Sequence, residues 1–347
     1  MTERLPLKPE REEGEAQPAF EPFLAIPRRE EWTFLKGSLF AARELQELKE
    51  QPHGLDLMAA HFVEVDSKTG APETILEWKK SEKNAEGKEA LSSVFLRPGK
   101  EYFVLLNPPL RESYDRSKFA LHLLPRSSLL RAGIAAEEST FYGTEDEATR
   151  EGLGSLFDAY YDGRQGAVRI FVANPNGVEV EDRAPIVQVV PERIPKDESV
   201  AEAQESFLAE REHEKHTALS LGGISEFLPI RPKIAVDAKQ NNLNVTQAVR
   251  ADGDTFRLRG GTPYLLETAE DVSLSAHEIG LTRALAEHDN VAAYGGALVD
   301  AGYKGKLVYL AIPKEDVVLK RGAPISYLLK INVPTTSQPY SGHWGKK

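Results

Sequence analysis

The chain has no cysteine among its 347 residues, and that single absence removes disulfides, thiolate nucleophiles and Cys-ligated zinc together. Nucleobase deaminases that activate water on zinc are excluded with it, because Cys side chains hold their metal. No apolar run approaches the ~18 residues that a membrane-spanning helix needs. The first residues, Met1 to Glu13, are too charged for a secretory signal or an anchor, so a cytoplasmic location is expected. No Gly-x-Gly-x-x-Gly or Gly-x-x-x-x-Gly-Lys-Ser/Thr loop opens a helix, which removes dinucleotide-binding and P-loop readings. The eight histidines show no ligand spacing beyond His213 and His216, which sit in a charged stretch and read as solvated. Positive charge is also short: 43 Lys and Arg against 54 Asp and Glu leave a net charge of −11. That is the wrong sign for a protein that coats nucleic acid, though it leaves room for a pocket that takes one nucleotide.

What is present points to strands. The length suits two domains, and 41% hydrophobic residues suffice for ordinary cores. With 26 Gly and 22 Pro punctuating β-branched runs such as Val187, Val189 and Val190, many short strands and tight turns are expected. Residues 1–30 read as a charged lead-in. Residues 31–194 and 231–347 read as two β-domains. Between them, 195–230 is rich in Glu, Ala and Lys and reads as a helical acidic linker.

The two β-rich stretches echo one another. Leu96-Arg-Pro-Gly-Lys-Glu-Tyr-Phe-Val-Leu-Leu106 is matched by Leu258-Arg-Gly-Gly-Thr-Pro-Tyr-Leu-Leu-Glu267. Gly166-Ala-Val-Arg-Ile-Phe-Val172 is matched from Gly305, and Ala184-Pro-Ile from Ala323, both at an offset of 139. A constant spacing between separate matches predicts one β-domain, duplicated and diverged.

Four segments carry chemistry. Leu124-Pro-Arg-Ser-Ser-Leu-Leu-Arg-Ala-Gly-Ile134 offers hydroxyls and backbone N–H groups at a helical turn, flanked by guanidinium groups, a suitable cradle for phosphate oxygens. Within it, Arg126-Ser-Ser128 also suits a helix N-cap. Gly54-Leu-Asp-Leu-Met-Ala-Ala60 sets a carboxylate at the start of a strand, and Asp182-Arg-Ala-Pro-Ile-Val-Gln188 sets an amide in one. Leu298-Val-Asp-Ala-Gly-Tyr-Lys-Gly305 combines an acid, an aromatic ring and a glycine that permits close backbone approach.

Together these segments resemble the motifs of the family that includes dUTP pyrophosphatases and dCTP deaminases, in a two-copy form similar to the long bacterial dCTP deaminases. The resemblance covers roughly residues 50–192 and 235–345. It implies two tandem dUTPase-like distorted β-barrel or jelly-roll domains and a pyrimidine deoxynucleoside triphosphate as ligand. Arg126, Ser127, Ser128 and Arg131 would hold its phosphates, with Asp56 organising that motif and Gln188 offering an amide. Asp300 would polarise the attacking water, Tyr303 would lie against the deoxyribose, and Gly305 would admit the backbone. The tail around Tyr340 and Gly342 resembles the segment that closes over bound nucleotide in this family; a disordered terminus reads the same way. Mg²⁺ is implied on the triphosphate, with no direct protein ligand. A homo-oligomer with sites at domain or subunit interfaces is implied as well, with neither nucleic acid nor membrane as partner.

The halves depart from the family pattern in complementary ways. The first half breaks the third motif, where Asp158 or Asp162 would have to substitute. The second keeps that motif but carries Asn244 in place of the first motif's acid, only Arg283 of the phosphate motif, and Tyr327 where Gln belongs. Members of the family that deaminate dCTP use a Glu five residues after the third-motif glycine. Here those positions are Phe171 and Leu310, and neither accepts a proton. The expected reaction is therefore hydrolysis of dUTP to dUMP and diphosphate. Deamination of dCTP, and nucleotide binding without turnover, are the alternatives.

Overall fold

The computed structural model describes residues 49–51, 54–79, 92–110, 119–136, 139–141, 165–193, 217–236, 245–284 and 290–332. Among them strands dominate, and the helix is a single turn. The first half contains β1 (Lys49–Gln51), β2 (Gly54–Val65), β3 (Pro72–Ile75), β4 (Ser93–Leu96), β5 (Glu101–Leu110) and β6 (Phe119–Pro125). Helix α1 (Ser127–Arg131) follows, then β7 (Ile134–Ala136), β8 (Ser139–Phe141), β9 (Gln165–Val172), β10 (Val178–Glu181) and β11 (Pro185–Arg193). The second half runs through β12 (Thr217–Phe227), β13 (Lys233–Ile234), β14 (Thr246–Ala248), β15 (Thr255–Leu258), β16 (Tyr264–Thr268) and β17 (Val272–Ser273). It ends with β18 (Glu278–Ala284), β19 (Val291–Tyr294), β20 (Gly296–Val299), β21 (Lys304–Gly305), β22 (Val308–Pro313), β23 (Val317–Lys320) and β24 (Pro324–Asn332).

Each half folds around one large antiparallel sheet, and the two sheets share a strand order. The first runs β7-β9-β5-β2-β11-β6-β8 and the second β19-β22-β16-β12-β24-β18-β20. In both, the first long strand sits in the middle beside the last one. The short pair β4–β10 has its counterpart in β15–β23. Alternation explains which faces turn inward: in β15, Phe256 and Leu258 are buried while Arg257 is exposed, as period-two geometry requires.

The cores repeat one detail. Tyr102 and Tyr264 are buried, and each phenolic oxygen accepts a hydrogen bond from a backbone N–H five residues earlier, that of Arg97 at 2.9 Å and of Arg259 at 3.0 Å. A buried tyrosine hydroxyl needs such a partner, and each bond closes the turn before its strand.

Helix α1 is short because its sequence supplies both a start and a stop. Arg126 is extended at its N-terminal edge (φ −70°, ψ 140°), and Leu129 and Leu130 bury the inward side. Gly133 then takes φ +82°, the left-handed conformation that ends a helix cheaply only for glycine. A Cβ there would also lie 2.8 Å from Asn174 Cβ and 3.0 Å from the Phe227 ring. Gly133→Ala is therefore expected to destabilise the protein by about 2 kcal/mol or more, combining backbone strain with overpacking. A shifted urea midpoint at unchanged slope would show it.

One expectation from sequence is corrected. Residues 217–227, placed in the helical linker, form β12, a central strand that buries Leu219, Leu221 and Ile224. The charged stretch just before them suggested helix, but ladder partners on both sides and the burial of those apolar side chains decide for strand. The second sheet accordingly begins at Thr217 rather than after 230, while β13 pairs in parallel with β10 of the first half. Residues 195–216 of the expected linker lie outside the described residues.

Candidate functional site

Adjacent strands build the first part of the site. Gln188 on β11 faces Asp56 on β2 in register, and both are almost fully buried, at 4% and 3% exposure. On the other side of β11, Leu124 of β6 pairs with Gln188, so Arg126 enters α1 two residues further on, at the same level. Its backbone N–H donates to the Ile186 carbonyl at 2.9 Å. Its Nη1 donates to Gln188 Oε1 at 2.8 Å and lies 3.1 Å from Asp56 Oδ1. That bond fixes the amide's orientation.

The fourth member comes from the other half. Strand β20 lies against β6, and Asp300 follows it directly. Its carbonyl accepts the Tyr303 N–H at 3.1 Å in a tight turn that Gly302 completes at φ +82°. Asp300 is 8% exposed. Burial pushes its carboxyl up to about 6, and the neighbouring Asp56 adds to the rise; the Arg126 guanidinium and the Gln188 amide oppose it. Asp300 Oδ1 completes no hydrogen bond among the described residues. Two carboxylates, one guanidinium and one amide thus converge from two sheets. A carboxylate that titrates near neutrality beside a fixed cation is suited to proton transfer.

The remaining expected residues divide. Ser127 is exposed on α1, with Ser128 and Arg131 half-buried beside it. Tyr303 is buried among Leu219, Val272, Leu274, Val299 and Leu328, and its hydroxyl donates to the Lys306 carbonyl at 2.7 Å. Gly305 pairs with Val272, so the third-motif turn is pinned to its own half. Tyr340, Gly342, Asp158, Asp162, Asn244, His213 and His216 lie outside the described residues.

Ladder register revises two second-half correspondences. Tyr327 occupies the place of Gln188, and its partner on β12 is Ala218, so the counterpart of Asp56 is Ala218 rather than Asn244. Arg283 pairs with Tyr327 as Leu124 pairs with Gln188, so it is not the counterpart of Arg131. Sequence reading also missed that Phe171 and Leu310 belong to one apolar cluster with Leu130 of α1 and Leu265. Their matching places after two glycines were the only signal.

The fold is similar to that of a dCTP deaminase. That structure, 2′-deoxycytidine 5′-triphosphate deaminase from Agrobacterium tumefaciens, aligns over 91% of this chain and 96% of its own, with a TM-score of 0.58 at 13% identity. No protein-family profile matches the sequence, and no curated protein does either. At that identity the likeness concerns the fold, and the deaminase-like architecture is what carries the four side chains together. Among the described residues, no helix is long and apolar enough to cross a membrane.

Proposed function

We propose that the chain hydrolyses a pyrimidine deoxynucleoside triphosphate, dUTP to dUMP and diphosphate, at the Asp56–Arg126–Gln188–Asp300 cluster. The observation that carries this reading is Asp300, a buried acid with a raised proton affinity set against a guanidinium contributed by the other half. In this reading the Asp300 carboxylate takes a proton from water as the water oxygen attacks the α-phosphorus. The bond from that phosphorus to the bridging oxygen breaks, and diphosphate leaves. Gln188, beside Asp300, orients the water. Arg126 receives charge developing on the phosphates, with Ser127, Ser128 and Arg131 on the leaving group. Asp56 holds Arg126 in place. Tyr303 and Gly305 shape the sugar side, and Tyr340 and Gly342 are assigned to closure.

Asp56 is ion-paired with Arg126. Mg²⁺ is assigned to the triphosphate oxygens of the substrate, where it would screen their charge. No residue of the chain is assigned to it.

Deamination of dCTP is the second reading, favoured by the activity named for the structural neighbour. Against it stand Phe171 and Leu310, packed in one apolar cluster where a proton-accepting Glu would be needed. Incubating the pure protein with Mg²⁺ and either dUTP or dCTP, then separating the products, tests both. Formation of dUMP and diphosphate supports hydrolysis. Ammonia and dUTP from dCTP would overturn that choice, and saturable binding without any product would make the chain a nucleotide-binding protein.

A pH profile follows from the same acid. The base form of Asp300 is required, so kcat is expected to rise about tenfold per pH unit below its midpoint of about 6 and to level off above it. A rate independent of pH between 4.5 and 7, roughly the range over which such a group ionises, would remove Asp300 from the proton-transfer role.

A further inference from the structure

After β12 the chain does not stay with its own sheet. Residues Leu228–Val236 cross to the first half, whereas β14 pairs with β12. Along this strap the Leu228 carbonyl accepts from Asn176 Nδ2 at 2.8 Å, and the Pro232 carbonyl accepts from the Glu179 N–H at 3.0 Å. Strand β13 then pairs in parallel with β10, Lys233 beside Glu179 and Ile234 beside Val180. The buried Glu181 carboxylate takes the Lys233 ammonium on one oxygen, and on the other the Val236 N–H at 3.1 Å. Arg231 lies over the Phe95 ring, 4.2 Å from its centroid. Ile234, at 1% exposure, sits in the hydrophobic core of the first half.

Both ends of this attachment bear on the site. Phe227, where the strap begins, packs against Gly133 just beyond α1. It also belongs to the apolar cluster that joins Leu130 of α1 to Leu310 of β22. Arg126 stands at the start of that helix, whereas Asp300 is fixed within the second half. The separation of these two side chains is therefore set by how one half is seated on the other, and an error of about 1 Å in such a pairing is enough to cost two orders of magnitude in rate.

We infer that the Leu228–Val236 strap, anchored by Ile234, is a positioning element that seats the second half so that Asp300 meets Arg126 within a single chain. Its catalytic consequence rests on the hydrolase reading above, whereas its geometric consequence does not. Ile234 touches no reacting atom; it acts through the placement of Asp300.

The test uses the full chain, and the lack of cysteine makes it clean. Ile234→Ala loosens the anchor, and Ile234→Val is the conservative control. Adding Glu179→Cys with Lys233→Cys to the Ile234→Ala protein allows the strap to be pinned again, because neighbouring strands lie about 5 Å apart, within disulfide reach. In Ile234→Ala, kcat on dUTP is expected to fall about tenfold or more, with KM changed less. Ile234→Val should stay within about threefold of the parent, and oxidation of the crosslink should restore the rate until dithiothreitol removes it. The Asp300 carboxyl, followed by carbon-13 NMR, should titrate closer to the ordinary carboxylate range in Ile234→Ala and return on oxidation. A lower melting temperature with kcat and the Asp300 midpoint both unmoved would reduce the strap to a structural brace and overturn the proposal. If the parent protein turns over no dUTP, the hydrolase reading fails on its own, and the Asp300 midpoint alone decides the strap.

Discussion

Asp300→Asn is expected to abolish hydrolysis, by about three orders of magnitude or more, while making the folded protein more stable at neutral pH. The two effects share one cause. In the folded chain the Asp300 carboxyl is raised from 3.8 to about 6, mainly by burial and further by Asp56. Well below pH 3.8 both folded and unfolded chains hold the proton, and the side chain adds no penalty. As pH rises through 3.8 towards 6, the unfolded chain releases its proton while the folded chain still retains it. Stability is lost across that window and stays lost above it, by about 3 kcal/mol for a shift of this size. Asparagine keeps the shape and never ionises, so the variant should gain up to about that amount at pH 8 and almost nothing at pH 4. Urea unfolding of both proteins at the two pH values measures the difference, with nucleotide binding by calorimetry as a check that the site persists. A variant less stable than the parent at pH 8 would mean that the acid is not held at a cost. The observation would then have to be explained by hydrogen bonds that asparagine cannot reproduce.

The same residues show how far sequence reading reaches. Strand content was legible because turn residues punctuate alternating apolar runs, and because a buried tyrosine recurs beside the same Leu-Arg turn at Tyr102 and Tyr264. The offset is 162 at that pair but 139 at Gly166 and Gly305, so the first half carries additional chain between these points. The β12 strand was misread because the charged stretch before it set the local composition, although Leu219, Leu221 and Ile224 carry the buried face. Asn244 was selected as a counterpart of Asp56 for its chemical likeness, whereas backbone pairing assigns Ala218, a residue with nothing left to recognise. The strap was invisible for a different reason. A strand of two residues has no period, and Ile234 is buried only because another part of the chain surrounds it. Chemistry within a motif could be read from residue types, but the distance between Asp300 and Arg126 could not. Seating one half on the other depends on surfaces spread over the whole chain.

Arg126→Leu is expected to be the most destabilising single change at the site, costing about 3–5 kcal/mol at pH 8. The guanidinium faces two carboxylates at once: Asp56 Oδ1 is 3.1 Å from Nη1, and Arg126 opposes the rise in the Asp300 proton affinity. It also donates to Gln188 Oε1 at 2.8 Å. Removing it leaves both acids buried without that cation and leaves the amide oxygen without that donor. The direction of the pH dependence follows. Without Arg126 the Asp300 carboxyl rises further, so the variant loses still more stability as pH increases, and the deficit should shrink at pH 5 as protons neutralise the acids. Arg126→Lys restores a charge but not the planar fork, and should recover part of the stability without the bond to Gln188 in its present geometry. Adding Asp300→Asn to Arg126→Leu removes one of the two uncompensated acids. The double variant should therefore be less destabilised than the single one, with a coupling of about 1–3 kcal/mol. Denaturant melts of the four proteins at pH 5 and pH 8 give this cycle directly. Strict additivity, with a pH-independent loss in Arg126→Leu, would mean that Asp300 and Arg126 do not sense one another across the two halves, and the site would have to be sought elsewhere in the fold.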